Sequence, residues 1–425
     1  MAGTSGAGSP RRANVPDRFV LLLVAACGAA TMCVELAAVR ALQPFFGSSS
    51  YVWANVFAVV LGALALGALL GGVLADRRAD AALLSGLAAA GGLASAVSAL
   101  VATPVARSFV DPSIDAAGAV SVLLKGSLGA ALVVFAPPLV LAGMVTPVAV
   151  KLLAAKGVGG AAGRVLAVST ASALAGAYAT THVLVPALGS RPALFAAAAL
   201  VVAPGALGLG LLGGQRGVFA GAAAAATLSM LAAFADAAPN RGAPLLANSG
   251  VARVLEERES AYQYLTVRED TYPNGEVDQV LTINEGVRVF HALKVRGRVL
   301  TDSRHYDDYT VLPFLVDVPR GGDLRIGIVG FACGVNAGQL RHFWKDAFRL
   351  TVEGAEIDPE VVALGRRHFA LPADDPALRV TIADGRTWLA AASKGGPFHA
   401  LAIDAFANEA YMPFHLATRE FLAIC

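Results

Sequence analysis

The chain has 425 residues, of which 56% are hydrophobic and only 15% charged, with a net charge of +2. So little charge is foreign to an ordinary soluble enzyme, and so small a net charge, with no dense basic patch, argues against a nucleic-acid partner. Four scattered cysteines (Cys27, Cys33, Cys333, Cys425) have no metal-ligand spacing and give no disulfide framework.

Residues 1–18 read as a disordered tail rather than a cleaved leader, because the apolar run behind them is long and others follow it. Spans of membrane-crossing length fall at 19–41, 52–75, 81–102, 117–144, 164–187, 192–213 and 217–235, defining a helical membrane domain over 19–236. Basic residues punctuate them: Arg11, Arg12 and Arg18 before the first, Arg77 and Arg78 between the second and third, Lys151, Lys156 and Arg164 between the fourth and fifth. Their distribution places the N-terminus and both even-to-odd loops in the cytoplasm. Seven crossings would then carry the following soluble part outside, away from cellular nucleotides. The expectation is instead a bacterial-type inner-membrane protein with a cytoplasmic soluble domain and one fewer crossing near 190–235.

Ionisable residues within the spans are few. Glu35 and Arg40 are candidates for a bound or transported ligand, with a polar contact between helices as the competing role. Small-residue runs such as Gly62 to Gly71 suit close helix packing. Pro137, Pro138 and Pro147 are expected to kink or end the fourth span.

A linker at 237–250 leads to a short antiparallel unit, 251–318, with strands at Ala252–Glu256, Tyr262–Arg268, Gln279–Asn284 and Val287–Phe290. Turns are expected at Pro273-Asn274-Gly275 and Asn284-Glu285-Gly286. From 319 to 425 strand and helix alternate, as in a Rossmann-like domain. Strands are expected at Arg325–Val329, Arg349–Ile357, Arg379–Ile382 and His399–Ile403, and helices at Asn336–Phe343, Pro359–His368 and Thr387–Ala392. Parallel strands joined by helices bind ligands at their C-terminal ends. Four short runs stand at those ends: Gly330 to Gly334, Glu356 to Pro359, Asp384-Gly385 and Asp404 to Phe406.

Gly330 and Gly334 leave room for a cofactor to approach the backbone, or serve only a tight turn. Glu356 stands where a carboxylate accepts both ribose hydroxyls, with a solvated loop acid as the alternative. Asp358-Pro359 suits a helix start. Asp384 is a candidate acceptor for an adenine amino group, with Gly385 allowing approach, or a cap for the next helix. Asp404, at the centre of the cleft, suits a base that serves an amine nucleophile.

Read with the residues upstream, these runs resemble the spermidine synthase family, the polyamine aminopropyltransferases, in its membrane-fused branch. The resemblance extends to Gly163–Gly189, to the hairpins around Tyr262-Gln263 and Leu281–Gly286, and to the run from Asp302 through Tyr306, Asp307 and Asp308. It implies decarboxylated S-adenosylmethionine as co-substrate, no prosthetic group, an amine acceptor, and aminopropyl transfer with methylthioadenosine leaving. It assigns Glu356 and Asp384 to the nucleoside, Asp404 to catalysis, and Tyr262, Gln263, Tyr306, Asp307 and Asp308 to the substrate side.

The chain departs from the family pattern where Ala332-Cys333-Gly334 replaces a turn bearing an aspartate. Asp307 and Asp308 stand where histidine and glutamate are usual, and the second acid of the catalytic loop is missing, leaving Glu409 nearby. An ordinary S-adenosylmethionine methyltransferase, or a transporter or sensor that only binds a nucleoside or polyamine, therefore stays open. Family members continue for three more strands, so the Rossmann-like domain is expected to be incomplete, either as a truncated product or with the edge of its fourth strand covered by another chain. A homo-oligomer through the soluble domain would supply such a chain.

Overall fold

The computed structural model describes residues 16–110, 122–235, 251–284, 291–301, 305–406 and 412–425. The N-terminal tail before residue 16, the 237–250 linker, the strand expected at Val287–Phe290, and Glu285, Gly286, Asp302 and Glu409 lie outside the described residues. The chain divides into two compact units, one holding the apolar helices and the other holding both β-sheets.

In the helical unit α1 runs Asp17–Phe46, α2 Ser50–Arg77, α3 Ala81–Ser108 and α4 Ser127–Leu153. The next helix, α5, covers Val158–Leu188 through a π turn at Thr180–Leu184, followed by α6, Ser190–Leu212, and α7, Gly214–Ala235. Six helices among the described residues are long and apolar enough to cross a bilayer; α7, the seventh apolar run, is not one of them. Asp80 caps α3 by accepting the Leu83 amide at 2.7 Å.

Small residues let these helices meet at the backbone. A Cβ on Gly67 would lie 2.2 Å from Val140 O, and one on Gly71 would lie 2.6 Å from Met144 Cα. The expectation that the prolines kink or end the fourth span is corrected as to the end: α4 continues through Pro137, Pro138 and Pro147 to Leu153. Pro138 leaves the Val134 carbonyl without its amide donor, and the Ser98 hydroxyl of α3 fills the gap at 2.6 Å. Neighbouring helices thus satisfy what proline removes.

Glu35 and Arg40 are both half-buried on α1. Five residues correspond to about 140° around a helix, so the two stand on different faces rather than forming an i, i+4 pair. At one end of the unit Lys151 pairs with Asp76 at 2.8 Å and Arg164 with Asp17 at 3.3 Å. These pairs bring the start of α1 and both even-to-odd junctions together.

In the second unit, β1 (Val251–Glu259), β2 (Tyr264–Thr271), β3 (Val277–Ile283) and β4 (Ala292–Val295) form an antiparallel sheet in sequential order. Gly275 turns the β2–β3 hairpin with φ +83°, as its Pro-Asn-Gly sequence leads one to expect. A 3₁₀ helix, His305–Phe314, leads into the parallel sheet. That sheet contains β5 (Asp323–Val329), β6 (Arg349–Glu356), β7 (Leu378–Ile382) and β8 (Ala400–Ile403), in the order β7-β6-β5-β8. The connecting helices are α8 (Val335–Trp344), α9 (Pro359–His368) and α10 (Gly385–Ala392).

Leu324, Ile326, Ile328 and Val352 bury one face of the sheet with Leu340 of α8, while Val329 and Ala355 meet Trp388 and Leu389 of α10. The antiparallel sheet packs Leu265, Val267 and Leu281 against Val361 and Leu364 of α9. The chain is therefore an apolar multi-helix region, a four-stranded antiparallel sheet and a Rossmann-like parallel sheet whose strand order reverses beside β5. That reversal opens the crevice in which such sheets bind ligands.

Candidate functional site

A cleft of about 620 Å³ opens at the C-terminal ends of β5, β6, β7 and β8. Its lining brings together Gly330, Glu356, Asp384, Gly385 and Asp404 with Tyr262, Gln263 and Tyr306. Among the described residues no lysine or arginine lines it.

The first turn is held by backbone geometry. Gly330 has φ +87°, and a Cβ there would come 2.2 Å from Asp404 O, so both conformation and contact require glycine. Ala332 also adopts a left-handed backbone, φ +47°, which costs a non-glycine residue on the order of 1 kcal/mol. That conformation aims its amide at Glu356 Oε2, 2.9 Å away. Gly334, φ +73°, begins α8, and its contact with Leu371 (2.6 Å from a Cβ) closes the turn against the core rather than the cleft. Cys333, within the same turn, is fully buried with Sγ 3.7 Å from Val361 O. Burial, with the nearby Glu356 charge, pushes its thiol well above the ordinary range, so the turn brings no negative charge.

Glu356 ends β6 with 9% of its surface exposed. Burial raises its carboxyl, and the amides of Asp358 and Ala332, bonded to Oε1 and Oε2, only partly oppose this. Asp358 is completely buried: it caps α9 through the Glu360 amide and accepts Ser260 Oγ at 2.6 Å and Gln263 Nε2 at 3.2 Å. Gln263 is thereby tied to the residue that caps α9.

Asp384 works as the cap of α10, accepting the Arg386 and Thr387 amides on Oδ1. Its Oδ2 meets His415 Nε2 at 2.8 Å. Partial burial raises this carboxyl, but the Thr387 amide, His415 and the Thr387 hydroxyl outweigh it and hold the group below its usual value. Gly385 lies so close to β5 that a Cβ would be 2.3 Å from Val329 Cγ1. Asp404 leaves β8 with its amide bonded to Val329 O, and its Oδ2 accepts the Tyr309 hydroxyl at 2.7 Å.

Three of the cleft candidates from the sequence lie outside the lining, Gly334 and two acids. Asp307 turns away to accept the Thr301 amide and hydroxyl and Gln339 Nε2 (2.9–3.0 Å), tying the 3₁₀ helix to α8. Asp308 is exposed. Three cleft neighbours escaped the sequence reading: Tyr309, Asn336 and His415. Tyr309 had a usable signal, because it follows Tyr306 by three residues and a 3₁₀ helix stacks such pairs on one side. His415 had none, since it reaches Asp384 from 31 residues along the chain. Among the described residues no group of three or more His, Cys, Asp or Glu could hold a metal ion.

No protein-family model matches the chain, and no curated protein matches it. Solved structures give distant, partial likenesses. One is a probable spermidine synthase from Corynebacterium glutamicum ATCC 13032, at 20% identity over 42% of this chain and 60% of that one, with TM-score 0.32. Another is spermidine synthase from Thermotoga maritima, at 20% identity over 41% of this chain and 52% of that one, with TM-score 0.28. The chain thus spans little more than half the length of either protein.

Proposed function

We propose that this chain is a membrane-anchored transferase that moves an aminopropyl group from decarboxylated S-adenosylmethionine to a polyamine or related amine. The observation that carries this reading is the convergence of Glu356, Asp384 and Asp404, from three consecutive strand ends, on one cleft whose lining holds no lysine or arginine among the described residues. Such a site favours cations, here a sulfonium donor and an ammonium-bearing acceptor.

In this reading Glu356 accepts the ribose hydroxyls, Asp384 and Gly385 flank the adenine, and Tyr262, Gln263 and Tyr306 border the acceptor. The amine lone pair attacks the aminopropyl carbon bonded to sulfur, and the C–S pair returns to sulfur to give neutral methylthioadenosine. The new ammonium passes its proton to Asp404. No acid is needed at the leaving group, because the sulfonium already carries the charge that departs with the bond.

Cys333 supports one second reading, methyl transfer from ordinary S-adenosylmethionine, because no acid in the turn repels a donor carboxylate. Titration of the full chain with methylthioadenosine, S-adenosylmethionine and its decarboxylated form separates the two. Preference for the decarboxylated donor, amine-dependent release of methylthioadenosine, and at least a hundredfold loss of kcat in Asp404→Asn are expected. Intact turnover in Asp404→Asn would remove that residue from the mechanism, and methyl transfer from the ordinary donor would replace the reaction.

A further inference from the structure

Tyr309 stands behind the wall of the cleft, and its hydroxyl donates to Asp404 Oδ2 at 2.7 Å. Asn336, the second residue of α8, lines the cleft. The main chain of Asp404 has little latitude. Its amide is bound to Val329 O, and its carbonyl lies against Gly330. The direction of the carboxylate therefore depends on what holds the side chain. We infer that Tyr309 is a positioning residue for Asp404, engaging Oδ2 so that Oδ1 meets the amine. This inference rests on the reading of Asp404 as the group that serves the amine.

A donor to a carboxylate favours its charged form. Tyr309 is suited to act as a constant donor: burial and the Asp404 charge raise its own hydroxyl, which stays protonated throughout the working range. The other titratable groups around the cleft that bear on Asp404 are Glu356, Asp384, Tyr306, His291, His305 and His415. Tyr309 touches the Asp404 carboxylate directly. The bond also joins the 3₁₀ helix before β5 to the segment after β8, two elements 95 residues apart.

The test is direct titration of Asp404 in the full chain, by carbon NMR of labelled aspartate carboxyls with Asp404→Asn assigning the signal. Tyr309→Phe keeps the ring and should raise the Asp404 midpoint by about one to two pH units. A fluorinated tyrosine at 309, a stronger donor, should lower it, and serves if the phenylalanine variant folds poorly. In turnover, the acidic limb of the pH profile should move up with the midpoint. The kcat should fall about tenfold while the donor KM changes less than twofold. A midpoint unmoved by either substitution overturns the inference, even in an active enzyme. A shifted midpoint in a protein with no amine-dependent release of methylthioadenosine would instead sink the transferase reading and leave the coupling standing.

Discussion

Glu356 is expensive for the fold and useful to the cleft. Its buried carboxylate is disfavoured by desolvation, and two backbone amides recover only part of that cost. The same amides fix its oxygens in advance, which suits a pair of ribose hydroxyls. Glu356→Gln should therefore weaken methylthioadenosine binding roughly 10- to 100-fold. Thermal stability should change little, because removal of a buried charge offsets the amide bond that the new NH₂ disrupts. Calorimetric titration beside a thermal melt checks both, and an unchanged Kd would remove Glu356 from the ribose. Glu356 and Asp384 were legible because each ends an apolar strand just before a helix-starting run. The capping of the next helix by Asp384 was legible too. Its bond to His415 was not, nor were those of Asp307 to Thr301 and Gln339, because those partners are brought by the fold rather than by sequence spacing.

At the scale of elements, the contact between β1 and α9 shows how a local irregularity joins two layers. A register shift between Val254 and Glu256 re-aims Glu256 toward the last turn of α9. There its carboxylate meets Arg367 at 3.0 Å and His368 at 2.7 Å, two side chains that also suit the negative end of a helix. Partial burial raises the carboxyl, but His368, Arg258 and Arg367 overcome it and hold the group at about 2. An unfolded glutamate titrates near 4.3, so this group contributes stability that is full above about pH 4.3 and is lost as pH falls toward 2. Glu256→Gln should be less stable than the parent at pH 7, with the gap closing by about pH 2; chemical denaturation across that range checks it. A gap that persisted at low pH would mean packing, not charge, holds β1 to α9. The elements themselves were largely readable: Pro359–His368 matches to the residue, because Asp358 and Pro359 mark its start and its apolar positions have helical period. The prolines of α4 were not readable as helix interior, because the donor that replaces one lost amide, Ser98, lies on another helix.

At the scale of the whole molecule, the side on which the Rossmann-like unit lies turns on α7. The ion pairs Asp76–Lys151 and Asp17–Arg164 gather the N-terminal end of α1 and two junctions at one end of the helical unit. Arg18, Arg77, Arg78 and Arg216, in the first turn of α7, follow the same parity, and on that bias we propose that this end faces the cytoplasm. Six crossings would return the chain there, where nucleoside donors are made. Yet α7 folds back along α6, with Gly221 so near that a Cβ would lie 2.5 Å from Ala206 O, and packs Ala224 against Ala89 and Val202. A seventh crossing by this Ala-rich helix would reverse the side or force the basic end outward. Reporters fused after Gly213 and after Arg253 separate these arrangements. Both are expected to read cytoplasmic, with α7 held in the bundle without crossing. A periplasmic signal after Gly213 alone would mean that α7 crosses and the N-terminus lies outside, against its charge. A periplasmic signal after Arg253 would separate the cleft from cytosolic donors and overturn the aminopropyltransferase reading at its supply, whatever Glu356 and Asp404 can bind.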